Sequence, residues 1–240
     1  FNIASGATLR VRDTDTHTFA AASSIGGAGK FVQTIDAPNV NVAGTFNPAE
    51  LELGVGQFNL NGTGPYSVGS VSISGGQLNA NAALTVASLS QSGGTLAGSG
   101  NVAVTSHFGW NSGTVTGTGQ LNTAGLTELG GTAQLDGRAW NNTGSIAIGA
   151  GDVLVLSGGA ALNNQSGGTL TVGHSGAAGV SFSGAGGTVS NAGLLQLNSS
   201  TIATGNANIT NSGVLTGSGK LSVGTGTVFN TGTLSPGSPA

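Results

Sequence analysis

The sequence predicts an all-β protein, a parallel β-solenoid (β-helix) in which successive coils stack along one axis. Three observations lead to this prediction: a motif that recurs along the chain, apolar residues that alternate with polar ones, and an almost complete lack of charge. With roughly 22 residues to a coil, the 240 residues would form about 11 coils.

The recurring motif is Asn or Ser, a short polar spacer, Gly, one further residue and then Leu, Val or Ile. Its copies occupy residues 74–78, 92–96, 111–115, 142–146, 164–170, 191–195, 211–215 and 230–234. Each coil of a solenoid places the same residue type at the same corner, so the motif predicts one turn ladder along the axis. The members of this ladder would be Asn111, Gly113, Asn142, Gly144, Asn164, Gly168, Asn191, Gly193, Asn211, Gly213, Asn230 and Gly232.

The chemistry of Asn and Gly suits such a corner. Asn tolerates the left-handed backbone conformation and Gly adopts it freely. Stacked Asn side chains can also hydrogen-bond to one another along a column of parallel strands. The step from Gly113 to Gly144 is longer than the other steps between motifs, which predicts an extra partial coil or a protruding loop between them.

Alternation identifies the segments between the motifs as strands. Pairs such as Leu121 and Thr123, or Leu170 and Val172, follow the period of two that places one face of a strand in a core. A helix is disfavoured because Gly is frequent throughout and costs ~1 kcal/mol in a helix interior relative to Ala. An antiparallel sandwich also has short strands between Gly turns, but the constant phase of the motif favours the solenoid.

Composition argues against several functions. Only 5% of the residues are charged, and the five Lys and Arg residues are too few for a basic stripe that binds phosphates, so no nucleic-acid partner is expected. The chain has no Cys, which excludes disulfides, thiol catalysis and zinc sites built on Cys. A mean hydropathy of +0.18 disfavours disorder. No apolar run is long enough for a membrane-spanning helix, so no membrane insertion is expected.

Two parts of the chain differ in regularity. Residues 1–70 hold eight of the 13 charges and three of the five Pro residues, and are expected to form less regular N-terminal coils. Residues 71–240 are expected to form the regular solenoid. No segment resembles the amphipathic cap that usually blocks the open edge of a solenoid. We therefore expect end-to-end self-association or continuation in a longer chain.

The repeats resemble the β-helical repeats of large bacterial exoproteins of the filamentous-haemagglutinin and autotransporter-passenger kind. The resemblance is carried by G-T-L-S-P-G-S-P at residues 232–239, H-F-G-W-N-S-G-T-V-T-G-T-G at residues 107–119 and L-D-G-R-A-W-N-N-T-G at residues 135–144. It implies a right-handed β-helix, secretion and a scaffold or adhesin role. The expectation is a secreted, extracellular or cell-surface rod that is not an enzyme, has no cofactor and contacts a host or matrix glycan or protein.

The best candidate for catalysis is the segment R-V-R-D-T-D-T-H at residues 10–17. Strand alternation would place Asp13, Asp15 and His17 on one face, where they could bind calcium or act as acid and base on a polysaccharide. A solvated or capping face is the simpler interpretation, so no catalytic residue and no metal site is assigned. His174 is isolated, and a His-based metal site therefore lacks ligands.

Other features suggest binding or structural roles. Trp110 and Trp140 could form a platform that stacks on sugar rings, although packing inside the coil is the more ordinary role. A T-x-T-x-T run at residues 14–18 suggests an ice-binding solenoid, but the run does not recur in every coil. Asp136 and Arg138 flank a turn and are expected to form a local ion pair of little energetic weight.

Overall fold

The computed structural model describes residues 1–149, 151–173, 179–182, 186–199, 201–203 and 208–237. Within these ranges every regular element is a β-strand and no residue is helical. The strands are β1 (Thr8–Arg10), β2 (Thr16–Phe19), β3 (Ser24–Gln33), β4 (Asn39–Val42), β5 (Thr45–Leu53), β6 (Gln57–Leu60), β7 (Tyr66–Ile73), β8 (Gln77–Ala80), β9 (Leu84–Ala97), β10 (Val102–Thr116), β11 (Gln120–Thr123), β12 (Leu126–Asp136) and β13 (Ala139–Asn142). They continue as β14 (Ser145–Ile148), β15 (Val153–Ser157), β16 (Ala161–Asn164), β17 (Thr169–Val172), β18 (Gly179–Phe182), β19 (Thr188–Asn191), β20 (Leu194–Leu197), β21 (Thr201–Ala203), β22 (Asn208–Asn211), β23 (Val214–Gly217), β24 (Lys220–Ser222), β25 (Val228–Asn230) and β26 (Thr233–Pro236).

The strands stack on three faces, and a coil visits the faces in the order C, A, B. Face A contains β1, the middle or C-terminal parts of β3, β5, β7, β9 and β10, the start of β12, and then β14, β17, β20, β23 and β26. Face B contains β2, β4, β6, β8, the ends of β9, β10 and β12, and then β15, β18, β21 and β24. Face C contains the starts of β3, β5, β7, β9 and β10, and then β11, β13, β16, β19, β22 and β25.

The strand pairings are parallel from the first coil, where β1 pairs with β3, to the last described coil, where β23 pairs with β26. The predicted fold class is thereby confirmed: the protein is an all-β parallel β-solenoid of about 11 turns.

The core is a column of apolar side chains in register. On face B, Phe58, Leu78, Leu96, Val115 and Leu135 lie one above another in successive coils, and each is completely buried. Burial of one such side chain contributes about 1.5–3 kcal/mol. The alternation seen in the sequence therefore places the same face of every strand in one continuous core.

Two groups of aromatic rings pack inside this apolar core. Phe31, Phe46 and Phe58 pack with ring centroids 5.1 to 5.5 Å apart in the early coils. Near the middle of the rod, Trp110 lies 5.2 Å from the stacked ring of Phe108 and 5.9 Å from the ring of Trp140. Large side chains thus fill the interior at two levels of the stack.

Candidate functional site

The most regular polar feature of the structure is a column of Asn side chains at the corner between face C and face A (the C–A corner). Asn142, Asn164, Asn191, Asn211 and Asn230 occupy the same position in successive coils. Each Nδ2 donates to the Oδ1 of the next Asn, at 2.9, 2.7, 2.6 and 2.7 Å in chain order. The first four side chains are at most 1% exposed. We call this column the Asn ladder.

Each rung of the ladder also secures its own turn. The Asn191 Nδ2 donates to the carbonyl oxygen of Gly193 at 3.2 Å and to that of Val214 in the following coil at 3.0 Å. The other described rungs repeat the bond to the turn glycine. Buried polar groups are costly unless they are paired, and this arrangement supplies partners for both the amide and the corner carbonyls.

The ladder begins at Thr123 and Trp140. Thr123 lies directly before Asn142 in the column, and its hydroxyl donates to the Asn142 Oδ1 at 3.1 Å. The same hydroxyl accepts the indole N–H of Trp140 at 2.8 Å. Before Thr123 the column is apolar, with Val68, Val86 and Val104 in register.

Asn111 and Gly113 lie at a different corner from the other ten predicted turn residues, which corrects the expectation of a single ladder. They occupy the corner between face A and face B (the A–B corner), where Asn111 is exposed. Gly113 follows Gly56, Gly76 and Gly94 there, and all four glycines have positive φ, between 60° and 91°. The long step from Gly113 to Gly144 reflects this change of corner, so no partial coil is needed to explain it.

The reason for glycine in the Asn ladder also differs from the expected one. None of Gly144, Gly168, Gly193, Gly213 and Gly232 has positive φ. A Cβ on Gly193 would instead collide with the carbonyl oxygen of Gly168 in the preceding coil, and one on Gly213 with that of Gly193. Glycine is required at this corner because the backbones of neighbouring coils approach closely.

The suggested glycan platform at Trp110 and Trp140 is not available at the surface. Both indoles are 0% exposed and pack against each other inside the coil. Their environments differ, because the Trp140 N–H is bonded to Thr123 whereas the Trp110 Nε1 has no hydrogen-bond partner in the described part of the chain. The Trp pair is a packing feature, and the sugar-stacking role is withdrawn.

The predicted acidic segment brings Asp13 and His17 together. The His17 Nε2 lies 2.7 Å and 2.9 Å from the two carboxylate oxygens of Asp13, and this contact lowers the pKa of Asp13. Asp15 is exposed and contributes only its backbone N–H to Asp13. Among the described residues, no group of three or more His, Cys, Asp or Glu side chains is placed to hold a metal ion.

Three other ion pairs, two of which share Lys30, lie on the outer surface of face A. The Lys30 Nζ lies 3.0 Å from Glu50 and 3.3 Å from Glu52, and the hydrogen bond to Glu50 is the main cause that raises the pKa of Lys30. His107 and Glu128 approach to 3.0 Å. All these side chains are substantially exposed, and such pairs contribute little to stability.

Arg138 is a buried cation, not the surface ion-pair partner of Asp136 that was expected. Its side chain is 0% exposed and runs along the corner between face B and face C. Its Nε donates to the Gly119 carbonyl at 2.8 Å, and its Nη2 to those of Gly100 and Gly98 at 2.8 and 3.2 Å. Burial lowers the pKa of Arg138 to about 10, so the group is charged at neutral pH.

Sequence reasoning missed this role of Arg138. An isolated Arg two residues after an Asp is typical of a surface turn. The only feature of the sequence that indicated a buried Arg was the series of Gly-rich corners before it, whose carbonyl groups could accept hydrogen bonds. His174, which was considered as an isolated histidine, lies outside the described residues.

Fold and side chains together define a β-solenoid repeat protein with an internal polar ladder. A relative is Deoxyribonuclease CdiA of Dickeya dadantii (strain 3937), which is 34% identical over 200 residues, covering 80% of this chain and 6% of that protein. The chain thus spans a small fraction of the relative's length. No family model matches the sequence, and no solved structure matches it.

The fold and this match are consistent with a β-helical repeat region of a large bacterial exoprotein. The match also corrects one expectation. The chain was expected not to be an enzyme, but the relative is named a deoxyribonuclease, which contradicts that assignment. No helix that could cross a membrane occurs in the described ranges.

Proposed function

We propose that the chain is a rigid stem segment of a secreted bacterial surface protein. The observation that carries the proposal is the parallel pairing of described strands, coil after coil, from β1 to β26. A core continuous along the whole axis resists bending because any bend would separate coils that share apolar contacts and backbone hydrogen bonds. At about 4.8 Å per coil, the stack would be ~50 Å long.

Continuation by a further coil is part of this proposal. At the last described coil, Phe229 and Leu234 are 62% and 53% exposed, and an apolar recess of about 220 Å³ opens between Leu215, Leu221 and Leu234. Among the described residues the Asn230 Nδ2 donates only to the Gly232 carbonyl, whereas the Nδ2 of every earlier rung also donates to the next Asn. The occupant we propose is another coil of the same polypeptide, which fits a relative of which this segment matches only 6%.

Small-angle X-ray scattering on the purified chain tests the stem. The expected result is an elongated particle ~50 Å along its axis, which lengthens by about 4.8 Å for each native coil added at the end that contains β26. A compact, nearly spherical particle, or no change in length on extension, would contradict the proposal.

An adhesive role is proposed for the assembled surface protein. Uncharged Ser, Thr and Asn rows on the outer faces offer hydrogen-bonding groups to a host or matrix glycan or protein. Binding of the intact protein to host cells, with loss of binding when these coils are deleted in whole turns, would support the role. Unchanged binding after such a deletion would oppose it.

A second candidate is DNA degradation by the protein to which this segment belongs, and the name of the relative favours it. The test incubates plasmid DNA and a divalent metal with the intact protein and, separately, with this chain. Degradation by the chain that is lost in a His107→Ala/Glu128→Gln variant would assign the activity to the exposed pair on face A. Degradation by the intact protein alone would assign it elsewhere, and no degradation by either would oppose this candidate. Retention of DNA by the chain would also test the expectation that nucleic acid is not a partner.

A further inference from the structure

An open trough runs along the A–B corner of the early coils. Its volume is about 490 Å³, and its lining includes Pro38, Asn39, Gly56, Gln57, Gln77 and Thr95. None of the residues that line it is charged, and none belongs to the Asn ladder or to the ion pairs described above.

The polar wall of the trough is a row of four side chains in register. Asn39, Gln57, Gln77 and Thr95 occupy equivalent positions in four successive coils, so they repeat at about 4.8 Å along the axis. Gln57 is exposed and the other three are half-buried. A ligand that fits this row must itself be extended and must present polar groups at a similar repeat.

The amides of this row keep hydrogen-bonding capacity. The Gln77 Nε2 donates to the Asn79 Oδ1 at 2.7 Å, which fixes the side chain, and its Oε1 accepts no hydrogen bond from the part of the chain that the structure describes. The side-chain amide of Gln57 has no hydrogen-bond partner among the described residues. An amide offers two donors and one acceptor oxygen, so Gln57 and Gln77 together present both kinds of group to the trough.

The floor is backbone, and its shape is fixed. Gly56 and Gly76 have φ of 70° and 64°, and a Cβ on either would collide with backbone of the preceding coil. Beneath them, the buried Gln33 Nε2 donates to the carbonyls of Pro38, Val55 and Gln57 at 2.9, 3.0 and 3.1 Å. The recess is therefore held open before any ligand arrives, which lowers the ordering cost of binding.

We propose that this trough binds an extended, neutral polysaccharide, lying along the rod axis. Sugar hydroxyls both donate and accept hydrogen bonds, which suits a row of amides, and the length of one residue in an extended glycan is close to the coil spacing. An acidic glycan or a nucleic acid would require Lys or Arg in the lining, and the trough has neither. A peptide strand would require an unpaired strand edge, but the strands that flank the trough are paired on both sides.

The test uses the whole chain and measures affinity by isothermal titration calorimetry. The probes are soluble neutral oligosaccharides of the β-glucan, mannan and chitin types, with polygalacturonate, a polar peptide and single-stranded DNA for comparison. The variant Gln57→Ala/Gln77→Ala removes the amides that face the trough, and Gln120→Ala/Gln196→Ala removes two amides on other faces as a matched control. Circular dichroism and melting confirm that each variant keeps the fold.

The expected result is binding of at least one neutral oligosaccharide that weakens about tenfold or more in the trough variant and is unchanged in the control. Chemical shift changes at the side-chain amides of Gln57 and Gln77 should accompany it. Absence of binding to every neutral probe, binding only to the acidic, peptide or DNA probes, or equal weakening in both variants would overturn the proposal. The outcome is independent of the stem proposal, which depends on particle length.

Discussion

The early coils and the late coils turn the C–A corner by different chemistry. In β7, β9 and β10 a single strand continues through the corner, and the column there is Val68, Val86 and Val104. From β13 onward the strand stops at an Asn and a turn follows, with the Asn ladder in the same column. The comparison shows that the same corner of the coil can be stabilised in two ways, by apolar packing or by a chain of amide hydrogen bonds.

The change between the two types of corner occurs over one or two coils. Thr123 connects the Val column to the Asn ladder, and Arg138 ties three successive coils together at the corner between face B and face C. The Trp110 Nε1, the Thr127 hydroxyl and the Arg138 Nη1 are buried without a partner in the described structure. Three of the five buried side-chain polar atoms that lack a partner among the described residues thus lie near the change of corner, and the other two are the Oε1 atoms of Gln33 and Gln91 in earlier coils.

The largest effect is expected at this junction. Replacement of Arg138 by Leu removes the charged donor from the carbonyls of Gly98, Gly100 and Gly119, which remain inside the corner. Hydrogen bonds to charged groups contribute about 1.5–3 kcal/mol each, and relief of the buried charge offsets part of the loss, so we expect a decrease of about 3–5 kcal/mol in the free energy of unfolding. Urea denaturation measures it, with Arg10→Leu as the exposed control. If Arg138→Leu lowered the free energy of unfolding by less than Arg10→Leu does, the role of Arg138 in stabilising this corner would be contradicted.

The next effect compares the two kinds of corner directly. Asn191→Ala leaves the Nδ2 of Asn164 and the Oδ1 of Asn211 without their ladder partners, at an expected cost of about 2–3 kcal/mol. Asn191→Val should not restore this stability, although Val occupies the equivalent position in the early coils. Conversely, Val86→Asn should destabilise by about 2 kcal/mol, because no neighbouring amide receives it. Thermal unfolding of the three variants measures these losses of stability. If Asn191→Val or Val86→Asn were as stable as the unchanged chain, the two kinds of corner would be interchangeable.

A smaller effect distinguishes the two buried Trp residues. Trp140→Phe removes the donor to Thr123 at the start of the ladder, whereas Trp110→Phe removes an N–H that has no partner. We expect Trp140→Phe to cost about 1 kcal/mol more than Trp110→Phe. Both variants lose similar volume, so the difference between their unfolding free energies isolates the hydrogen bond. Equal losses would mean that the Trp140 bond contributes nothing.

The smallest effect concerns pH. The pKa of Asp13 in the folded protein lies below its ordinary value of 3.8, mainly because of the hydrogen bond with His17. The stability contributed by this carboxylate is therefore present above pH 3.8 and is lost as the pH falls through the lower, folded-state pKa. NMR titration should show the Asp13 pKa returning toward 3.8 in His17→Ala. An unchanged Asp13 pKa in that variant would exclude His17 as the cause.

Much of the fold follows from the sequence because alternation and corner residues are local signals. The apolar residues predicted as buried, such as Leu121 and Leu170, are in the core. The assignment of corners did not follow from the sequence, because Asn111 to Gly113 and Asn142 to Gly144 have the same spacing but stack on different neighbours. The division at residue 70 stays a prediction, and the change of corner chemistry lies further along the chain, between Val104 and Asn142.

The candidate sites were less predictable than the fold. The Trp residues were considered for binding because they are rare in the chain, yet burial depends on which face of a coil they occupy. The polar trough consists of common residues, Asn, Gln and Thr, that carry no signal individually. Only the register of Gln57 with Gln77, one coil apart, brings them into a row.

Cysteine cross-linking tests the central claim, the parallel register of successive coils, most directly, because the chain has no native Cys. Ser72 and Ser90 are in register in the early coils, as are Ser190 and Thr210 in the late coils. Neighbouring positions lie about 4.8 Å apart, within disulfide range, whereas positions displaced by two residues lie about 8 Å apart. We expect rapid oxidation of Ser72→Cys/Ser90→Cys and Ser190→Cys/Thr210→Cys, and little oxidation of the displaced pairs Ser72→Cys/Ser88→Cys and Ser190→Cys/Asn208→Cys. Equal oxidation of matched and displaced pairs, or faster oxidation of the displaced ones, would contradict the stacked register from which every other conclusion is drawn.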